Sequence, residues 1–241
     1  MSISILIPAR YQSSRLQGKP LKKIFGKEMI LRVAEKCKKI VNKKNIFILT
    51  DDKRIQNLVK KNNYKALMTP KNIKTGTDRV AYAAKKIRSK IFVNVQGDEP
   101  LIKPKDIKKI IKAKFKYPNH VICGYADEKK ISKVKDKNII KVIMNKFNEL
   151  IYFSRSPIPS SKKNNKNIRF KKQICVYAFN SKQLKLFSKS KQSEQEKIED
   201  IELLRFLDLG IKIKLEKISA TIAVDVQKNI KEVENYLRKK E

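Results

Sequence analysis

The sequence predicts an α/β fold: a mostly parallel central sheet with helices on both faces. Three observations carry that expectation. Apolar runs at residues 3–7, 46–49 and 91–95 suit strands buried on both faces of a parallel sheet. Segments with helical spacing separate them. Each run ends in a polar, charge-bearing motif, and the carboxyl ends of the strands are where open sheets of this kind bind ligands.

The first strand carries Ile3, Ile5, Leu6 and Ile7 and stops at Pro8. A loop with Arg10, Ser13, Ser14, Arg15, Gly18 and Lys19 follows, ending at Pro20. Three positive charges there suit an anion such as a polyphosphate, and two Arg in a Lys-dominated chain point to fork geometry. The plainer alternative is a solvated loop. Met29, Ile30, Val33, Ala34, Cys37, Ile40 and Val41 then recur at helical spacing, predicting a helix over 29–41. After the strand at 46–49, Thr50-Asp51-Asp52 caps a helix running through Val59. Residues 64–68 read as extended. Lys74-Thr75-Gly76-Thr77-Asp78-Arg79 opens a helix with Val80, Ala83, Ala84 and Ile87 inward; its hydroxyls and Gly suit either an anion site or a plain cap. Gln96-Gly97-Asp98-Glu99-Pro100 follows the third strand, and two carboxylates beside a Gly suit Mg²⁺, or else an acidic turn. Ile107, Ile110, Ile111 and Phe115 then form an inward stripe among Lys105, Lys108, Lys109 and Lys112.

The second half is less regular. Strands are expected at 120–125, 138–144, 173–179, 211–218 and 221–224, with residues 160–166 a mobile loop. One helix is expected over 196–208, with Ile198, Ile201, Leu204 and Leu207 inward and Gly210 ending it. Asp225 follows the last strand, and a helix over 228–238 closes the chain. No internal repeat or break is visible, so residues 1–241 are read as a single domain.

Composition narrows the function classes. No apolar run is long enough to span a bilayer and no signal-like segment leads, so a cytoplasmic protein without membrane partners is expected. Cys37, Cys123 and Cys175 lie far apart, suggesting reduced, buried thiols and no zinc site. A net charge of +36 would point to nucleic acid, but the Lys residues decorate nearly every segment instead of forming one stripe. A nucleic-acid-binding protein without activity is therefore the different-class alternative, and no specific nucleic-acid partner is expected. The same field helps draw in small polyanions. Six glycines include no G-x-G-x-x-G and no Walker-type loop, which argues against dinucleotide and P-loop sites. His120 is the sole histidine and lacks a partner motif.

Taken together, Ile7-Pro-Ala-Arg-Tyr-Gln-Ser-Ser-Arg-Leu-Gln-Gly-Lys-Pro-Leu21, Thr75-Gly-Thr-Asp-Arg79, Val93-Asn-Val-Gln-Gly-Asp-Glu-Pro100, Tyr152-Phe-Ser-Arg-Ser-Pro-Ile-Pro159 and Ala223-Val-Asp225 resemble the 3-deoxy-manno-octulosonate (Kdo) cytidylyltransferases, or CMP-Kdo synthetases. The resemblance is collinear along almost the whole chain. It implies a Rossmann-like nucleotide-diphospho-sugar transferase fold, with residues near 120–200 forming a smaller β-rich region for dimerisation and the sugar pocket. It also implies transfer of CMP from CTP to Kdo for lipopolysaccharide biosynthesis, Mg²⁺ as cofactor, and a homodimer.

Residue by residue, the resemblance implies that Pro8, Ala9, Arg10, Ser14, Arg15, Lys19, Thr75, Gly76, Thr77 and Arg79 bind CTP. Asp98 and Asp225 would hold Mg²⁺ and, with Arg15 and Lys19, form the catalytic set. Gln96, Arg155, Gln173, Tyr177 and Glu202 would bind the sugar acid. The chain departs from the family pattern in three places: Gln173 and Cys175 stand where the family has His and Gly, Leu203 replaces a Gln, and Val226-Gln227 replaces Thr-Pro after Asp225. These changes leave 8-amino-Kdo or a sialic-type acid as alternative acceptors.

Overall fold

The computed structural model describes residues 2–13, 15–128, 133–160 and 169–239. In chain order the strands and helices are β1 Ile3–Pro8, β2 Lys23–Ile24, β3 Lys27–Glu28, α1 Met29–Lys38, β4 Ile46–Thr50, α2 Lys53–Lys61, β5 Lys65–Met68, α3 Gly76–Ala84, β6 Ile91–Val95 and α4 Pro104–Lys116. They continue as β7 Val121–Glu128, β8 Lys141–Met144, β9 Leu150–Ser154, β10 Phe170–Asn180, α5 Ser181–Lys189, α6 Glu194–Glu199, α7 Leu204–Asp208, β11 Ile213–Lys217 and α8 Gln227–Arg238. Two compact units result: residues 1–108 with 221–241, and residues 109–220, which contain the region expected near 120–200. No helix among the described residues is long and apolar enough to cross a membrane.

In the first unit β6, β1, β4 and β5 lie side by side, every pair parallel, with Ile5 opposite both Ile46 and Val93. The apolar runs form its middle because both faces are covered: Ile5, Leu6, Ile7, Ile48, Leu49, Val93 and Val95 are fully buried. The helix expected to Val41 ends at Lys38, and Asp52 caps α2 by accepting from the Arg54 N–H.

The second unit is β-rich. β10 runs antiparallel to β7 and β8, β8 antiparallel to β9, and β11 parallel to β7. The helix expected over 196–208 is two short helices, because Asp200 takes the left-handed conformation (φ 50°) and ends α6. Ile198, expected inward, is therefore exposed. Phe115 is also exposed, while Lys114 is buried: position 114 continues the i, i+3, i+4, i+7 stripe of Ile107, Ile110 and Ile111. Lys114 is tolerated because its ammonium donates to the carbonyls of Pro118 and His120 and to Gln183 Oε1 at 2.9, 2.6 and 2.8 Å.

Residues 221–224, expected as a strand, form none, although Val224 N–H donates to the Asp98 carbonyl at 2.9 Å. β9 and α5 were not anticipated. Gly210 does end α7, with φ 68° and its N–H bonded to the Leu207 carbonyl. Cys37 and Cys123 are buried and free, and burial pushes both thiols up; Cys175 is only half-buried. Within the loop expected at 160–166, residues 161–166 lie outside the described residues.

Candidate active site

The first unit brings the loop after β1, the turn after β6 and the segment before α8 to one place. Lys19 Nζ donates to Asp98 Oδ2 at 2.7 Å and to Asp225 Oδ1 at 3.2 Å, and Arg15 Nη2 lies 3.5 Å from the same Asp225 oxygen. Burial alone would lower the Lys19 pKa; the two carboxylates outweigh it and raise it, so Lys19 is a fixed cation at neutral pH.

Local sequence explains each placement. Gly18 adopts the left-handed conformation (φ 65°), and its N–H donates to the Tyr11 carbonyl at 2.9 Å, closing the loop. Lys19–Leu21 then form one turn of 3₁₀ helix, with Pro20 near its start. Leu16 anchors the loop in a cluster with Ile24, Met29, Leu101, Val224, Ile230 and Val233, while Arg15 stays exposed. Gly97 allows the β6 turn to reach the end of β1: a Cβ there would stand 2.7 Å from the Pro8 carbonyl oxygen. Asn229 Oδ1 accepts from the N–H groups of Asp225 and Val226, both at 3.1 Å, so Asn229 organises the start of α8 where the family pattern has Thr-Pro.

The donors fit Mg²⁺. Asp98 and Asp225 offer only carboxylate oxygens, both partly exposed, and already share one cation in Lys19. No trio of His, Cys, Asp or Glu suited to a metal gathers among the described residues, so phosphate and water oxygens would complete the shell.

The Thr75–Arg79 segment opens α3, and Thr75 takes the cap role, one of the two that its residue types suit. Thr75 Oγ1 accepts from the Asp78 N–H at 3.0 Å and donates to Asp78 Oδ2 at 2.7 Å, making it the cap of α3. Thr77 is fully buried. Gly76 sits against Gln96, whose Nε2 would be 2.6 Å from a Cβ at that position. Arg79, expected beside the nucleotide, is buried: Nη2 donates to Asp51 Oδ2 at 3.0 Å and Nη1 donates to Thr69 Oγ1. Asp51 Oδ1 in turn accepts from the Tyr11 N–H at 3.3 Å. Arg79 thus braces the cationic loop from below. Pro8 and Ala9 are buried, with Ala9 N–H on the Leu49 carbonyl at 2.8 Å, and Arg10 is exposed. Ser14 lies outside the described residues.

The profile of the cytidylyltransferases, described as "Cytidylyltransferase", matches residues 4–215. The chain belongs to the cytidylyltransferase family. It is 40% identical over 237 residues to the 3-deoxy-manno-octulosonate cytidylyltransferase of Fusobacterium nucleatum, covering 97% of this chain and 96% of that protein. It is 35% identical over 244 residues to the 8-amino-3,8-dideoxy-manno-octulosonate cytidylyltransferase of Shewanella baltica, covering 98% and 99%. A solved CMP:2-keto-3-deoxy-manno-octonic acid synthetase complexed with CTP superposes with a TM-score of 0.92 at 32% identity, over the full length of both chains.

The remaining residues expected to bind the sugar acid lie in the second unit of this cytidylyltransferase. Arg155 is a clamp there: Nη1 and Nη2 donate to the carbonyls of Lys137 and Asp200 at 2.8 and 2.9 Å, and Nε to that of Glu199. Glu199 accepts from Ser154 Oγ at 2.7 Å and from the Arg155 N–H at 2.8 Å. β10 bulges between Ile174 and Tyr177, a device that re-aims side chains beside active sites. Gln173, before the bulge, is buried, with its Nε2 3.7 Å from Cys123 Sγ and no hydrogen-bond partner on Oε1. Tyr177 is buried, and burial, then the nearby Cys175 and Glu202, push its phenol well above the usual range. Glu202 follows the break at Asp200 and is half-buried.

Sequence reasoning missed Leu16, Asp51, Thr69, Glu199 and Asn229. For Asp51 the signal was present, since two consecutive aspartates after β4 exceed what one helix cap needs.

Proposed function

We propose that this chain transfers CMP from CTP to the anomeric hydroxyl of Kdo, giving CMP-Kdo and pyrophosphate for lipopolysaccharide biosynthesis. One observation carries the reading: Lys19 joins Asp98 to Asp225 beside Arg15, so the charges needed around a triphosphate converge in a fold superposing closely on a CTP-complexed synthetase. In the reaction the hydroxyl oxygen bonds to the α-phosphorus, the bond to pyrophosphate breaks, and the hydroxyl proton leaves to solvent. Arg15 and Lys19 stabilise charge on the phosphates and the departing pyrophosphate. Lys19, held protonated, works as an electrostatic clamp and not as a base. Mg²⁺ held by Asp98 and Asp225 would add Lewis-acid charge at the phosphates.

In the second unit, Gln173, Tyr177 and Glu202 contact the sugar acid, while Arg155 keeps the Glu199–Asp200 turn in place for them. Gln96, backed by Gly76 in the first unit, is a further residue read as binding the acid. The working form is a homodimer, a reading supported by the exposed Phe147 and Ile151 on the β8–β9 hairpin. The similarity to an 8-amino relative favours 8-amino-Kdo as the second acceptor.

Pyrophosphate release with CTP against Kdo, 8-amino-Kdo and a sialic-type acid tests this. Turnover is expected with Kdo, and absence of release with every ulosonic acid overturns it. Light scattering on the eluting protein reads the dimer.

A further inference from the structure

We propose that Lys19 is a tethered counter-cation that keeps divalent ions off the Asp98–Asp225 pair until a polyphosphate draws its ammonium away. The inference rests on the reading of that pair as the Mg²⁺ site. With Nζ 2.7 Å from Asp98 Oδ2 and 3.2 Å from Asp225 Oδ1, the ammonium fills the space between the carboxylates. Mg²⁺ needs oxygens at about 2.0–2.1 Å and dehydrates reluctantly, so it cannot share those oxygens with Lys19 at these distances.

The charge balance points the same way. Arg15 stands 3.5 Å from Asp225, so two cations already offset the two carboxylates and little net field is left to attract a third. A nucleoside triphosphate reverses that balance. Its phosphates give both cations a stronger counter-anion, and the flexible four-carbon stem of Lys19 lets the ammonium follow while Gly18 and the 3₁₀ turn hold its backbone. The carboxylates are thereby released for metal. Nucleotide and metal then strengthen each other's binding, and by linkage the effect is reciprocal.

The test uses Mn²⁺ as the probe on the full chain without nucleotide, with free Mn²⁺ read by electron paramagnetic resonance. Lys19→Gln and Lys19→Met are expected to bind Mn²⁺ at least about tenfold more tightly than the wild type, the scale on which one neighbouring charge acts. Mn²⁺ should also raise their melting temperatures more than it raises that of the wild type. Lys19→Arg, which keeps a cation, should stay near the wild type, and adding Asp225→Asn to Lys19→Gln should remove the gain. Equal Mn²⁺ affinity in Lys19→Gln, Lys19→Met and wild type overturns the counter-cation role alone. Undiminished Mn²⁺ binding by Asp98→Asn in the presence of CTP overturns the metal reading beneath it.

Discussion

Arg79 Nη2 donates to Asp51 Oδ2 at 3.0 Å, and the other oxygen of that carboxylate accepts from the Tyr11 N–H at 3.3 Å. A buried ion pair therefore ends on the backbone of the cationic loop. Asp51→Ala takes the carboxylate from a buried guanidinium and the acceptor from Tyr11, and a loss of ~3–5 kcal/mol is expected in urea unfolding. The surviving folded fraction should show a raised KM for CTP, because the loop carrying Arg15 and Lys19 has lost its brace.

Two glycines in the site separate packing from function. A Cβ at Gly97 meets backbone, the Pro8 carbonyl oxygen, at 2.7 Å, whereas one at Gly76 meets only the flexible end of Gln96. Gly97→Ala should cost ~1–3 kcal/mol of stability and reduce turnover together. Gly76→Ala should leave the melting temperature nearly unchanged while raising the KM for the sugar acid severalfold, as Gln96 is pushed aside.

Asp98→Asn and Asp225→Asn should each lower divalent-ion-dependent pyrophosphate release by roughly 10²–10³-fold, the scale for removing a preorganised electrostatic partner. Circular dichroism should stay unchanged, since both side chains are partly exposed. Chelating the ion should abolish turnover in the wild type, and full activity in EDTA would remove the metal from the account.

Lys114 makes stability depend on pH. Burial pushes its ammonium down to about 7, although three acceptors favour the proton. Between about pH 7 and the unfolded value near 10.5, the unfolded chain holds more protons on this residue, so its contribution to stability rises with pH. The difference in unfolding free energy between wild type and Lys114→Met should therefore change across pH 7–10, moving in favour of the wild type as pH rises.

Arg205 grips Glu196 through Nε and Nη2, both at 2.6 Å, and lies 3.7 Å from the centroid of the Phe187 ring. Glu196→Ala should destabilise the second unit by ~3–5 kcal/mol by leaving a buried guanidinium without its carboxylate. Glu196→Met with Arg205→Met should recover most of that loss, as measured by thermal melting.

Legibility from sequence followed the kind of information each element carries. The buried strands could be read because Ile5, Leu6, Ile7 and their counterparts are apolar on both faces. Arg15, Lys19 and Asp98 stood out because charge near a Gly at a strand end is conspicuous, and the structure bonds Lys19 directly to Asp98 and brings Asp225 to the same ammonium. The break at Asp200 could not, because an Asp occupies the left-handed position where Gly would have signalled it. Residues 221–224 looked like a strand by their apolar content, yet Val224 bonds to the Asp98 carbonyl without a ladder. The inward Lys114 and the brace from Asp51 to Arg79 depend on acceptors distant in sequence or in later loops, which no local pattern reveals.

Lys19 meets Asp98 79 positions further along the chain and Asp225 206 positions further along. During synthesis, the residue completing this trio leaves the ribosome only after all four parallel strands of the first unit have emerged. The nascent polypeptide can therefore assemble its parallel strands well before it acquires a working centre, and a fragment released after residue 220 would fold in part yet stay inert.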